Sequence, residues 1–171
     1  LATALRDSWR DAPDEKLIVF SSFRGTIDYL EERLVADGVQ CVKMHGSVKR
    51  DRDLLLRDFA DAQGPCVLLT SEVGGEGLDL QFCRVLVNYD LPWNPMRVEQ
   101  RIGRIDRIGQ RSPSVEIFSL VCEGTIEARV YDRLYERLNL IERTLGGFEP
   151  ILGALVKELE DRLLDPKLLP E

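Results

Sequence analysis

The sequence has few residues that bind metals. Among its 171 residues there is a single histidine, His45, and there are four cysteines, none in a CxxC pair. One histidine excludes a multi-histidine metal cage, and a Ser-His-Asp triad would depend on that residue alone. Each cysteine lies in or beside an apolar run, which predicts buried free thiols in a reducing compartment. We therefore expect no metal ligands in this chain.

Long apolar runs and an excess of positive charge are also missing. The sequence contains no run of 18 apolar residues, so it predicts no membrane span, and it contains no signal-peptide pattern. The 23 basic residues are outnumbered by 30 acidic ones, which gives a net charge of −7. A protein that coats nucleic acid through its overall charge is thereby excluded, so any such contact must be local. Because the sequence starts at Leu1 and not at Met, we expect it to be part of a longer protein.

The sequence lacks the two motifs that hold the phosphates and the metal of a nucleoside triphosphate. There is no GxxxxGK[ST] loop, and no strand is followed by an acidic run of the kind that binds Mg²⁺. A complete ATP site therefore cannot come from this chain alone.

The most distinctive stretch is Gln100–Gln110, which is short and rich in arginine. At 100° per residue, one helix face carries Gln100, Arg104, Arg107 and Arg111, and the opposite face carries Val98, Ile102 and Ile105. Asn94-Pro95 reads as an N-cap followed by proline at the first helical position, and Gly103 falls inside the predicted helix.

Guanidinium groups suit phosphate oxygens, because each presents a planar fork of charged donors. Aimed at a γ-phosphoryl group, such arginines would act as fingers. The alternative is a solvated basic face. Arg97 and Arg101 lie off the Gln100 face, and we expect surface ion pairs for both.

Alternating strands and helices predict an α/β fold with a mostly parallel sheet and helices on both faces. The predicted strands are 17–20, 39–44, 65–70, 84–89 and 114–121, and the predicted helices are 26–36, 47–60 with Ser47 as the cap, the arginine stretch and 125–145. We expect an N-terminal helix or linker over 1–16, the main domain over 17–145 and a C-terminal helical extension over 146–171. Ligands of such sheets bind beyond the carboxyl ends of the strands.

Gln100–Gln110 closely resembles the sixth motif of superfamily-two helicases and translocases. Together with Trp93-Asn94-Pro95, its Ile108-Gly109-Gln110 end is typical of the SWI/SNF-like ATPases, and the nearest subfamily is the bacterial RNA-polymerase-associated type. The resemblance covers about residues 17–145 and implies a second, C-terminal RecA-like lobe. It further implies that Arg104 and Arg107 contact the γ-phosphate of ATP, that Gln100 orients them or the nucleotide, and that the P-loop and the Mg²⁺-binding acid lie on an N-terminal lobe outside this chain.

The glycine-rich stretch Ser71–Asp79 follows the third predicted strand and resembles the fifth helicase motif. Three glycines there permit positive φ and expose backbone N–H groups. The resemblance implies nucleotide contacts by Gly75, Gly77 and Asp79, although the SWI/SNF form usually has Asn where this sequence has Asp79. It also implies phosphate-backbone contacts by Thr70 and Ser71. A tight loop without a ligand is the alternative.

Further candidate nucleic-acid contacts follow the first two strands and precede the arginine stretch. Ser21-Ser22-Phe23-Arg24 resembles the fourth motif, and hydroxyls before a helix N-terminus suit phosphate, with simple capping as the alternative. Met44–Ser47 and Lys49–Arg52 resemble the stretch that approaches the nucleic-acid backbone; a lone basic cluster is otherwise a solvated face. The additional candidates are Ser21, Ser22, Arg24, His45, Gly46, Lys49, Arg50 and Trp93.

The sequence therefore predicts the second motor lobe of an ATP-dependent translocase on duplex DNA or a DNA/RNA hybrid. We expect it to be inactive alone, to work with the N-terminal lobe of the same chain, to have RNA polymerase as a candidate partner, and to be cytoplasmic, bacterial and nucleoid-associated. Two alternatives stay open. One is a lobe of a strand-separating DEAH-like helicase, and the other is a catalytically silent docking module for a partner such as RNA polymerase.

Overall fold

The computed structural model describes residues 5, 9–10, 12–46, 51–75, 77–78, 80–92, 94–122 and 124–125. Within them, no helix is long and apolar enough to cross a membrane. The chain divides into two compact units. The larger comprises Leu1–Pro92 and Val98–Leu120, and the smaller comprises Trp93–Arg97 and Val121–Glu171. The larger unit contains the sheet.

Five parallel strands form one sheet in the order β2-β3-β1-β4-β5. The strands are β1 (Lys16–Phe20), β2 (Gln40–Met44), β3 (Cys66–Thr70), β4 (Val85–Asn88) and β5 (Glu116–Ser119). Strands β1, β3 and β4 are apolar almost throughout because both of their faces are covered, as in other parallel sheets. The predicted parallel α/β fold is confirmed.

Helices cover both faces of this sheet. The described helices are α1 (Arg24–Ala36), α2 (Arg52–Asp61), α3 (Glu72–Gly75) and α4 (Pro95–Ile102). One core cluster holds Ile18 and Phe20 of β1 with Leu55 and Phe59 of α2. The other face holds Leu17 and Val19 of β1 with the buried residues of α1, which are Ile27, Leu30 and Leu34. The alternation along β1 thus divides the core between the two sides.

Most predicted boundaries differ from the observed ones by one or two residues, but the start of α2 differs by five. Helix α2 begins at Arg52, where the Asp51 carboxylate accepts from the Asp53 N–H at 2.9 Å. Asp51 is therefore the N-cap in place of Ser47, which lies outside the described residues. Strand β5 covers only 116–119 of the predicted 114–121. The predicted helix over 125–145 and the extension over 146–171 lie outside the described residues, apart from Thr125, which is not helical.

The arginine stretch is not one continuous helix. Asn94 caps α4 as predicted, since its side-chain oxygen accepts from the Met96 N–H at 2.9 Å. The helix ends at Ile102, however, and turns follow through Gly109. Glycine costs about 1 kcal/mol in a helix, and the Arg104 carbonyl accepts from the Leu80 N–H at 3.4 Å in place of a helical partner. The prediction that Gly103, Arg104 and Arg107 lie within a helix was wrong.

A candidate nucleotide and nucleic-acid site

The carboxyl ends of the parallel strands bring several predicted site residues to one edge of the sheet. Ser21 and Ser22 follow β1, His45 and Gly46 follow β2, and Ser71 follows β3. Backbone hydrogen bonds join these ends: Ser21 N donates to Thr70 O at 3.0 Å, and Ser71 N donates to Met44 O at 3.3 Å. Residues separated by up to 50 positions in the sequence therefore form one continuous edge.

Arg101, on α4, lies at this edge and is only 2% exposed. Its guanidinium donates to Glu72 Oε1 at 2.5 Å, to Asn88 Oδ1 at 3.0 Å and to the Asp90 carbonyl at 2.8 Å. A further N–H donates to the Ser22 hydroxyl at 3.3 Å. The sequence predicted a surface ion pair for Arg101; the ion pair is present, but the prediction that it lies at the surface was wrong.

A signal for the burial of Arg101 is present in the sequence. The residue lies three positions after Val98 and four before Ile105, so in the helix predicted from the sequence it shares a face with two apolar residues, both of which are buried. Because arginine is charged, however, the sequence predicted that Arg101 lies at the surface. Glu72 and Asp90, which neutralise the guanidinium, were not singled out from the sequence at all, because they become its neighbours only when β3 and β4 pair with β1.

Asp90 organises the two serines that follow β1. Its carboxylate accepts from the Ser21 hydroxyl at 2.5 Å and from the Ser22 backbone N–H at 2.9 Å and 3.0 Å. Ser21 is fully buried, whereas Ser22 is exposed. The Ser22 oxygen accepts from Arg101, so the hydroxyl hydrogen of Ser22 can still be donated to an external acceptor.

The turns after α4 hold the predicted finger residues. Ile105 is fully buried in the core cluster and anchors the segment. Arg104 is half-buried, and Gln100 and Arg107 are exposed. Within the described part of the chain, the side chains of Gln100, Arg104 and Arg107 make no hydrogen bond or ion pair. In a chain with a net charge of −7, these two arginines therefore keep positive charge that no carboxylate of the described residues neutralises.

The glycine-rich stretch forms a short helix and a tight turn against the sheet. Ser71 caps α3 by accepting from the Gly74 N–H at 3.2 Å, and Thr70 is buried with its hydroxyl donated to the Ser71 carbonyl at 3.1 Å. Gly77 has φ of +75°, which favours glycine. The predicted nucleotide residues Gly75 and Gly77 share a continuous segment with Leu80, the backbone partner of Arg104, while Asp79 lies outside the described residues.

Two glycines of α3 are required by close packing. A Cβ at Gly74 would lie 2.1 Å from the backbone oxygen of Met44, and a Cβ at Gly75 would lie 2.9 Å from the Phe20 ring. These contacts let α3 lie directly against the ends of β1 and β2. The glycine content of the loop thus reflects packing as well as any approach to a ligand.

The stretch after β2 contributes His45 and Gly46. His45 Nε2 lies 3.8 Å from Asp28 Oδ1, and the hydrogen bond from Lys43 holds the pKa of the Asp28 carboxyl below its usual range. Gly46 is exposed, and a Cβ there would lie 3.8 Å from the Arg24 guanidinium. Arg24 is exposed as well. The other predicted contacts, Lys49, Arg50 and Trp93, lie outside the described residues.

Helix α1 begins beside these residues without a side-chain cap. Its N-cap is Phe23, which has no side-chain hydrogen bond to the first turn. The first N–H groups of a helix carry partial positive charge and bind anions readily. With Ser22 before it and Arg24 as its first residue, this 13-residue helix presents several donors suited to phosphate oxygens.

An all-parallel sheet with exposed hydroxyl and guanidinium groups at its carboxyl edge, and with arginines on a turn after the fourth strand, is the arrangement of a RecA-like helicase lobe. The chain belongs to the helicase conserved C-terminal domain family, which it matches over residues 2–109. The assignment to the superfamily-two SWI/SNF-like ATPases, near the RNA-polymerase-associated type, is confirmed by relatives that include RapA proteins.

Curated relatives match most of the chain. It is 40% identical over 153 residues to YqhH of Bacillus subtilis (strain 168), an uncharacterized ATP-dependent helicase, covering 89% of this chain and 27% of that protein. The RNA polymerase-associated protein RapA of Photobacterium profundum is 38% identical, with 92% of this chain and 16% of that protein covered. RapA of Sodalis glossinidius is 34% identical over 96% of this chain and 17% of its own length. The chain therefore spans about a quarter or less of these relatives.

Solved structures support the same fold. The C-terminal part of the Fun30 ATPase domain superposes with a TM-score of 0.68 at 26% identity, covering 77% of this chain and 43% of that one. The Hef helicase domain of Pyrococcus furiosus gives a TM-score of 0.60 at 28% identity, covering 77% of this chain and 27% of that one. The RecA-like fold predicted from the sequence is thus confirmed.

Proposed function

We propose that this chain is the second motor lobe of an ATP-dependent translocase that moves along double-stranded nucleic acid. The observation that carries the proposal is that Arg104 and Arg107 have no carboxylate partner among the described residues, although the chain is acidic overall. Both lie on turns anchored by the buried Ile105. Guanidinium groups held in this way stabilise charge that develops on a transferring phosphoryl group.

The residues present fit the polyphosphate of ATP but not its metal. Arg104 and Arg107 would contact the γ-phosphate, Gln100 would orient them or the nucleotide, and Gly75, Gly77 and Asp79 would approach the rest of the nucleotide. No group of three or more His, Cys, Asp or Glu side chains in the described residues could hold a metal ion. We propose, from the resemblance to helicases, that the P-loop and the Mg²⁺-binding acid lie on an N-terminal lobe of the same protein, and that ATP would be bound between the lobes.

Nucleic acid would be held through its phosphates at the carboxyl edge. Ser22, Arg24 and Gly46 are exposed there, next to the uncapped N-terminus of α1. Ser21, Thr70 and Ser71 are buried and their side chains are hydrogen-bonded within the fold. We propose that they act at this edge by holding the exposed groups in position. His45, Lys49, Arg50 and Trp93 complete the proposed contact set. Groups of this kind read the backbone and not the base sequence.

The proposed cycle couples the two ligands through lobe movement. ATP binding closes the cleft between the lobes, and hydrolysis reopens it, as in other hinge-closing enzymes. Each cycle would advance the lobes along a duplex of DNA or of DNA and RNA. The proposed location is the bacterial cytoplasm, at the nucleoid. RNA polymerase is a candidate partner, and the names of the two RapA relatives described above, RNA polymerase-associated proteins, support that proposal.

Two assays on the full-length protein test the proposal. Displacement of the third strand from a triplex reports movement along a duplex, and unwinding of a tailed duplex reports strand separation. We expect ATP-dependent triplex displacement without unwinding. Efficient unwinding would favour the helicase alternative, which YqhH's name as an ATP-dependent helicase keeps open. Absence of ATP hydrolysis with every nucleic acid would favour the silent docking module. The 171-residue chain by itself should hydrolyse no ATP.

A further inference from the structure

The buried guanidinium of Arg101 connects three elements that the proposed function assigns to different ligands. Through Ser22 it contacts the proposed nucleic-acid edge after β1, at 3.3 Å. Its Nη2 also donates at 2.5 Å to Glu72, the first residue of α3, and so contacts the glycine-rich stretch that begins at the buried Ser71. Arg101 itself belongs to α4, which ends one residue later and leads directly to Arg104. One side chain therefore joins the phosphate-binding edge to the finger segment.

The contacts of Arg101 use nearly all of its hydrogen-bonding capacity. Nε and Nη2 both donate to Glu72, at 3.1 Å and 2.5 Å, and Nη1 donates to Asn88 and to the Asp90 carbonyl. The guanidinium carbon lies 5.3 Å from the centre of the Phe20 ring, a cation–π distance. Only an arginine has a planar fork that reaches all of these partners at once.

Stability alone does not account for a charge at this position. Buried ion pairs are costly to desolvate, and apolar side chains of similar volume often replace them without loss of stability. Arg101 stands three positions after the buried Val98, on the face of α4 that packs into the core, and the buried Ile105 follows in the next turn, so an apolar residue would be expected here. A charged network at this place would suit a helix that moves between two positions. Hydrogen bonds of Arg101 can change partners when α4 shifts, whereas tightly packed apolar side chains cannot easily adopt a second arrangement.

We propose that Arg101 is a positioning residue that couples nucleic-acid binding to ATP hydrolysis, an inference that rests on the proposed function. Ser22 can donate its hydroxyl hydrogen to a phosphate oxygen while it accepts from Arg101. Ser22 is also held at its backbone by Asp90, which lies 3.5 Å from Arg101. A shift of Ser22 on phosphate binding therefore moves the network of Arg101, and with it α4 and the orientation of Arg104 and Arg107.

The test compares two variants of Arg101 in the full-length protein. Arg101→Lys keeps the charge but cannot bridge Ser22, Asn88 and Glu72 together. Arg101→Met, combined with Glu72→Gln, removes one positive and one negative charge together and so leaves the net charge of the site, which still contains Asp90, unchanged. The matched control is Arg84→Met combined with Glu116→Gln, because Arg84 also bridges two glutamates, Glu15 and Glu116, outside the proposed site.

The measured quantity is the stimulation ratio, that is, the rate of ATP hydrolysis with saturating duplex DNA divided by the rate without it. Both Arg101 variants should lower the ratio about tenfold or more, while the Arg84 control should keep it within twofold. Residues of one network give non-additive effects. Ser22→Ala combined with Arg101→Lys should therefore lower the ratio no further than Arg101→Lys alone.

Two results would overturn the inference. One is a ratio within twofold of the native value in a folded Arg101→Lys protein, which would make Arg101 purely structural. The other is additive loss in the Ser22 and Arg101 double variant, which would place them on separate routes. If the charge-neutral variant fails to fold, Arg101→Lys alone decides. A native protein whose ATP hydrolysis does not respond to any duplex would refute the proposed function itself, before any variant is compared.

Discussion

Gln110 holds the backbone of Ile105 in place: its Nε2 donates at 2.8 Å to the Ile105 carbonyl and, at the same distance, to the Cys83 carbonyl. Its Oε1 accepts from the Ser112 N–H at 3.0 Å. Arg107 lies on the turn between Ile105 and Gln110. Ile105 is fully buried in the core and Cys83 lies just before β4, so the two hydrogen bonds of Gln110 attach this turn both to the core and to the segment that leads into β4. The glutamine of the Ile-Gly-Gln sequence therefore has a structural role in placing the proposed finger.

We predict that Gln110→Glu destabilises the 171-residue chain by several kcal/mol. The substitution keeps the shape but replaces two donors with a carboxylate oxygen facing two carbonyls, and each unsatisfied buried group costs about 1–3 kcal/mol. Urea unfolding measures the change. Gln63→Glu is the control, because Gln63 is exposed and its amide contacts only the Asp61 carbonyl at 3.2 Å. Equal stability of the two variants would show that the Gln110 hydrogen bonds do not hold the turn.

Loss of either proposed finger should abolish most hydrolysis by the full-length protein. Arg107→Ala and Arg104→Ala should each lower kcat by about 10³ or more, the low end for a lost arginine finger. Arg111→Ala should cost little, because this exposed arginine lies beyond the turn that Gln110 closes. Steady-state ATP turnover with saturating duplex measures the effect. A mild decrease at both Arg104 and Arg107 would return the stretch to a solvated basic surface.

Two glycines should respond to alanine in opposite directions. Gly74→Ala should destabilise the chain by about 3 kcal/mol or more, because the new Cβ would lie 2.1 Å from the Met44 backbone oxygen, which cannot move without disturbing β2. Gly25→Ala should be neutral or stabilising by up to about 1 kcal/mol, because Gly25 is helical and nothing lies within 4 Å of its Cβ position. Urea unfolding of both variants measures the difference, and similar values would contradict the close packing of α3.

Thiol reactivity should single out one cysteine. Burial raises the pKa of Cys41 from 9.0 to about 12, and burial also raises the pKa values of Cys66 and Cys83. These three thiols stay protonated at pH 8, where reaction requires the thiolate. Cys122 is exposed. In native protein at pH 8 a chromogenic disulfide reagent should react rapidly with one thiol and slowly with three, and Cys122→Ser should remove the rapid phase.

The raised pKa values of these thiols also predict that the free energy of unfolding decreases at alkaline pH. A thiol whose pKa is higher in the folded state contributes stability that is complete below its unfolded pKa of 9.0, and that is lost as the pH rises towards about 12 for Cys41. Unfolding free energy should therefore decline through this range, and less so in Cys41→Ala. In the thiol-reagent experiment described above, rapid reaction of more than one thiol of the native protein would contradict the prediction of a single rapid phase, because it would show that the core opens readily at pH 8.

Much of the fold could be predicted from the sequence because its signals are local. Continuous apolar runs identified the central strands, and Asn94-Pro95 located the start of α4, since a cap and a proline act within one turn. The end of α4 could not be predicted in this way. It is set by Gly103 together with a hydrogen bond from Leu80, which lies 24 positions before Arg104 in the chain.

The sequence by itself determined the family and the parallel α/β architecture, and it suggested the phosphate chemistry proposed for the arginine stretch, because residue type and spacing carry that information. Tertiary structure alone decided which arginines are available. Arg101 is enclosed by Glu72, Asn88 and Asp90 because parallel pairing brings the ends of β1, β3 and β4 together. Arg104 and Arg107 find no carboxylate among the described residues, which supports the proposed contact with a ligand. Whether an arginine is consumed within the fold or presented to a ligand depends on neighbours that only the folded sheet supplies.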